Sequence, residues 1–92
     1  MCKLSDEQVT LYLSKLPNWK YENNSIIKKF KKKSFKESIS FVTAIADLAV
    51  EANHHPDMLI QYDCVTITLS THDSGGVTGK DFSLAQQINA LN

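Results

Sequence analysis

The chain has 92 residues, 42% of them hydrophobic and 22% charged, and its ten lysines balance ten Asp and Glu to a formal net charge of zero. That length bounds it to one domain, 1–92, which buries only about two-thirds of its unfolded surface, and the neutral balance excludes a global field that would recruit nucleic acid or a membrane surface. No apolar run suits a membrane span, no signal-peptide pattern opens the chain, and Cys2 and Cys64 have neither CxxC nor zinc-ligand spacing; the expectation is a cytoplasmic protein with free thiols, the alternative being a single intramolecular disulfide.

The first element is a helix. In "LSDEQVTLYLSKL", Ser5 and Gln8 have the spacing of a capping box, and Leu4 and Val9 that of a hydrophobic staple. Val9, Tyr12, Leu13 and Leu16 follow helical spacing, and Pro17 ends the segment. "NWKYENN" alternates, with Trp19 and Tyr21 on one face, and "SIIKKFKKK" follows an Asn-Asn-Ser turn, so the pair reads as a β-hairpin. The lysines of "KKFKKKSFK" read as a solvated strand edge guarded against edge-to-edge pairing, with a local anion-binding patch as the alternative. The chain has no arginine and so lacks bidentate phosphate or base recognition.

Ser34 and Glu37 have the spacing of a second capping box, opening the longest helix, "FKESISFVTAIADLAVEA". Phe35, Ile39, Val42, Ile45, Ala46 and Ala49 make an apolar stripe that Phe41 and Leu48 widen, broad enough for a sheet on one side and a partner on another. Asn53 suits a left-handed C-terminal cap. "MLIQYDCVTITLST" is the second strand pair, with its turn near Asp63 and Cys64. "HDSGGVTG" reads as a loop. Its glycines do not make a phosphate-binding loop, since Ser74 stands in place of the first glycine and Asp81 follows the lysine. Thr78 and Asp81 cap the last helix, "KDFSLAQQINAL". The order α-β-β-α-β-β-α predicts an α+β two-layer sandwich: a four-stranded antiparallel sheet with three helices on one face.

All three histidines converge in this topology. Pro56 pushes His55 out of the helical region, so His54 lies in the post-helical turn and His55 leads into the third strand. His72 lies just past the fourth strand, and antiparallel pairing brings the end of that strand to the start of the third. Three readings follow: a metal site, general acid–base catalysis, or unconnected surface histidines. Adjacent histidines rarely aim at one ion, and no cysteine has suitable spacing. Convergence favours acid–base chemistry, with Glu51 and Asp81 as the carboxylates available to orient a ring. Ser70, Thr71 and Ser74 flank His72 without a nucleophile elbow.

"E-x-x-HHP…Y-x-x-V-x-I-x-L-STH…G-x-T-x-x-D", running from Glu51 to Asp81, resembles the pterin-4a-carbinolamine dehydratase family, and the element order is similar over nearly the whole chain. The resemblance implies elimination of water from a 4a-hydroxytetrahydropterin to give quinonoid dihydropterin, returning the cofactor of aromatic amino acid hydroxylases to use. It implies no metal, nucleotide or covalent intermediate, so no cofactor is expected. By position it makes His54 and His72 the proton-transfer pair, with His55 contacting substrate at the same site. Glu51 would orient His54, and Asp81 would hold a histidine or the pterin edge. Pro56, Met58, Ser70 and Thr71 would contact the ring. Family members often carry Trp where this chain has Met58, which implies a softer, more mobile stacking face. The resemblance further implies a homodimer or homotetramer. Its alternative is a non-catalytic module of the same fold, which binds a pterin or serves as the dimerisation partner of a transcription factor.

Overall fold

Ser5 opens the first helix as expected: its Oγ accepts from the Gln8 amide, and the Gln8 side chain accepts from the Ser5 amide. The computed structural model describes residues 2–91. This helix, α1, spans Asp6–Leu13 and ends earlier than Pro17 requires. Leu16 still reaches the core, but from the turn that follows. Strands β1, Lys20–Glu22, and β2, Ser25–Lys31, are joined by Asn23 and Asn24, both at positive φ (52° and 59°). Such a pair of left-handed residues closes a two-residue hairpin whose twist matches its strands.

The long helix α2 covers Phe35–Ala52, with Ser34 Oγ accepting from the Glu37 amide. Its buried stripe is Ser38, Phe41, Ile45 and Ala49. Ile45 and Ala49 of the expected stripe are in it, whereas Phe35 and Ile39, also expected there, are 50% and 40% exposed. The apolar arc is wider than the sheet beneath can cover, and its inward part includes Phe41, whose ring packs tilted against that of Phe30 with centroids 4.8 Å apart.

Strands β3, Asp57–Gln61, and β4, Cys64–Leu69, form the second hairpin. Its turn is Tyr62–Asp63, one residue earlier than expected, because Gln61 pairs with Cys64. Tyr62 takes φ 55°, an uncommon conformation for a bulky residue. Asp63 anchors that turn: its carbonyl accepts from the Lys32 amide and its carboxylate pairs with Lys31. A short 3₁₀ turn, His72–Ser74, interrupts the expected loop, and α3 spans Gly79–Leu91.

The four strands form one antiparallel sheet in the order β1-β2-β4-β3. Ile26, Phe30, Val65, Ile67 and Leu69 line its inner face and pack with Val9, Phe41, Ile45, Leu84 and Ile88 from the three helices. The architecture is therefore the α+β sandwich expected.

The lysine run has a different setting from the one expected. β2 is a central strand, flanked by β1 and β4, so its lysines guard no edge. Lys28 turns inward, donating to Asn89 Oδ1 at 2.9 Å over the Phe30 ring, and the loss of solvent lowers its ammonium below the usual lysine range. Lys32 lies over the Phe41 ring at 3.9 Å, while Lys31 pairs with Asp63. Cys2 and Cys64 are free thiols.

Candidate active site

The sheet register gathers one set of chain segments at one end. Ile26 pairs with Leu69, so the Asn23–Asn24 turn lies beside Ser70. Asp57 pairs with Thr68, so the segment leaving α2 arrives on the other side of β4. Between them sits Thr71, held by paired backbone bonds to Gly76 (2.8 and 3.4 Å). The 3₁₀ turn between these two residues presents His72, and Gly75 closes it at φ 74°.

The end of α2 places His54. Asn53 adopts φ 50°, ψ 45°; its amide donates to the Val50 carbonyl at 3.2 Å and the His54 amide donates to that of Ala49 at 3.1 Å. These two bonds are a Schellman closure, which fixes the residue after the left-handed cap. Pro56 then leads the chain into β3.

A cleft of about 310 Å³ results, lined by Asn53, His54, His55, Ser70, Thr71, His72, Asp73 and Lys80. All three imidazoles face one space, as the topology predicted. Their settings differ: His55 and His72 are exposed, whereas the His54 side chain is only 12% exposed. A second hollow, of about 330 Å³, shares Ser70, Thr71 and His72 and continues toward Asp57 and the Asn23–Asn24 turn.

Beneath the cleft lies Asp81, fully buried in the first turn of α3. Its Oδ1 is 2.5 Å from His54 Nε2. Its Oδ2 accepts from the Thr71 hydroxyl and from the Thr78 amide, both at 2.9 Å. Thr78 and Asp81 thus make the expected cap, and the same carboxylate that caps α3 grips the histidine. A buried carboxylate with three donors is satisfied, and it restrains ring position and tautomer together.

Other expected site residues lie elsewhere. Glu51 is exposed on the last turn of α2 and, among the described residues, makes no hydrogen bond or ion pair; the contact to His54 comes from Asp81 instead. Pro56 shapes the backbone between His55 and β3 without lining either hollow. Met58 also lies outside both; it points to the inner face of β3 and packs against the core. Three lining residues are not among the expected site residues: Asn53, read from sequence only as a helix cap, Asp73 and Lys80. Lys80 had a readable signal, since it immediately precedes Asp81 in the first turn of a capped helix.

Fold and site together define a small α+β protein with a histidine-lined cleft at one end of an antiparallel sheet. The sequence profile described as pterin 4 alpha carbinolamine dehydratase matches residues 2–91. A Sulfolobus acidocaldarius protein provisionally named pterin-4-alpha-carbinolamine dehydratase is 46% identical over 89 residues, covering 97% of this chain and 98% of its own. One of the same provisional name from Chloroflexus aggregans is 46% identical over 92 residues, covering 99% and 98%. Among solved structures, a transcriptional coactivator/pterin dehydratase from Brucella melitensis superposes with a TM-score of 0.93 at 31% identity, covering 97% of each chain. A pterin dehydratase-like RuBisCO assembly factor of the alpha-carboxysome shares the fold alone, with a TM-score of 0.66 at 23% identity over 79% of this chain and 84% of that one. The chain belongs to the pterin-4a-carbinolamine dehydratase family.

Proposed function

We propose that this protein is a hydro-lyase that eliminates water from 4a-hydroxytetrahydropterin by histidine acid–base catalysis. The observation that carries the reading is the cleft lined by His54, His55 and His72, with His54 held by the buried carboxylate of Asp81. In this reaction the C4a–O bond breaks, the departing hydroxide takes a proton and leaves as water, and a proton leaves a ring nitrogen. Both transfers suit imidazoles, which donate and accept near neutral pH. His54 and His72 serve as the transfer pair, with His55, Ser70 and Thr71 against the pterin. The substrate comes from an aromatic amino acid hydroxylase, and the product re-enters tetrahydropterin recycling. The reading carries with it a cytoplasmic location and a homo-oligomeric state. Support for association comes from apolar side chains left exposed on α2, among them Phe35, Ile39 and Val50.

The test is to generate the carbinolamine enzymatically and follow its decay by ultraviolet absorbance. Wild-type protein is expected to accelerate the decay, and His54→Ala and His72→Ala to lose roughly 10²–10⁴-fold in rate, the usual contribution of a positioned acid or base. Decay at the uncatalysed rate with wild-type protein, or unimpaired variants, would refute the proposal. A non-catalytic role, in keeping with the word coactivator in the description of the Brucella melitensis structure, predicts pterin or protein binding without rate enhancement.

A further inference from the structure

We infer that Asp81, held in place by a one-directional hydrogen-bond chain that runs to it from the first turn of α3 through Thr78 and Thr71, fixes His54 with its proton on Nε2 and leaves Nδ1 as the only atom of that ring that exchanges protons with substrate. Thr78 is thereby a positioning residue of the site. It lies in neither hollow and is fully buried.

The direction follows from counting donors. The Thr71 hydroxyl has one proton and donates it to Asp81 Oδ2. It therefore has none for Thr78 Oγ1, 2.8 Å away, so in that contact the Thr78 hydroxyl is the donor. The oxygen of Thr78 in turn accepts from the Lys80 amide at 3.3 Å. Each hydroxyl donates once, and the chain ends on a carboxylate that accepts at both oxygens. At Oδ1 the partner is His54 Nε2, and an acceptor-only group there requires Nε2–H. That proton stays in place whether the ring is neutral or charged. Nδ1 has no partner among the described residues, yet none of their side-chain nitrogens or oxygens is left both buried and unsatisfied. It is therefore open to solvent, on a side chain that lines the cleft.

Thr78 acts at two points. Its amide donates to Asp81 Oδ2, and its hydroxyl occupies the Thr71 oxygen, so that the Thr71 proton points to Asp81 rather than into the cleft. Valine has the same shape and keeps the amide, so Thr78→Val leaves the first role and removes the contacts of the hydroxyl, to Thr71 and to the Lys80 amide. Without it, Thr71 is free to rotate its proton away, and Asp81 loses one of three donors.

The experiment combines nitrogen-15 NMR of histidine-labelled protein with kinetics. Long-range proton–nitrogen correlation is expected to show wild-type His54 as the Nε2–H tautomer. Thr78→Val is expected to keep that tautomer, which the carboxylate alone requires, with a kcat lowered roughly 10-fold, well short of the cost of removing a proton-transferring ring, and KM nearly unchanged. Thr78→Ser, which keeps the hydroxyl, is expected to restore kcat. A wild-type His54 protonated on Nδ1 overturns the inference without any variant, even if Thr78→Val does not fold. So does a folded Thr78→Val protein with the wild-type kcat. Only the kinetic arm rests on the dehydratase reading: if the protein catalyses no dehydration while His54 is the Nε2–H tautomer, the activity proposal fails and the tautomer assignment stands.

Discussion

At the scale of single residues, Asp81 joins two tasks that usually fall to different groups. It caps α3 through the Thr78 amide and holds His54 through its other oxygen. Asp81→Asn separates them. The amide oxygen satisfies the Thr71 and Thr78 donors only if its NH₂ turns toward His54, whose Nε2 must then be bare. The expected outcome is a folded protein with the His54 proton moved to Nδ1 and a kcat reduced by roughly 10²–10⁴-fold, as for catalytic histidines held in the wrong tautomer. Nitrogen-15 NMR and the dehydration assay check the two halves. The convergence of the histidines was legible in the sequence because Pro56 and antiparallel pairing are strong local constraints. The partner of His54 was less so. Glu51 lies one helical turn before it, but the Schellman closure at Asn53 turns the chain off the helical path before His54. Asp81, 27 residues away, reaches His54 only because α3 packs beside α2, and no local pattern encodes that packing.

At the scale of elements, caps and alternation were readable because each depends on a few neighbouring residues. The placement of β2 was not. A lysine-rich strand has the composition of an edge, but β4 pairs with β2 along most of its length and makes it central. Its lysines then take individual roles, and Lys31 illustrates them. Its hydrogen bond with Asp63, between β2 and the β3–β4 turn, holds the Asp63 carboxyl below the usual carboxylate range and raises the Lys31 ammonium above the usual lysine range. The depressed Asp63 contributes stability that is complete above the ordinary carboxylate range and lost as pH falls through its folded value. The raised Lys31 contributes stability that is complete below the ordinary lysine range and lost as pH rises through its folded value. Asp63→Asn is therefore expected to lower Tm most between those two ranges, with the difference from wild type closing in acid. Added salt should shrink the effect, since the pair lies at the surface. Thermal melts across pH and ionic strength check this, and a Tm difference that persists in strong acid would contradict it.

At the scale of the whole molecule, the small core leaves apolar groups that one chain does not cover. Phe35, Ile39 and Val50 recur at helical spacing on the outward side of α2, with Val50 73% exposed, and Leu59 on the edge strand β3 is 54% exposed. Burying a side chain of the Val or Ile kind is worth about 1.5–3 kcal/mol, so a few of them suffice for a weak symmetric contact. Ile39 and Val50 line neither hollow, so association and the proposed catalysis can be tested separately. Sedimentation velocity is expected to show self-association of the wild-type protein that strengthens with concentration. Ile39→Glu with Val50→Glu is expected to shift it toward monomer, because each glutamate would carry an unpaired charge into the contact. The dehydration rate per chain should stay at the wild-type value in that double variant, since neither side chain lines the cleft and Val50 serves the Asn53 cap through its carbonyl alone. A wild-type protein that is monomeric at every concentration would refute association through this face, and a folded monomeric variant without activity would show that the cleft needs a second chain.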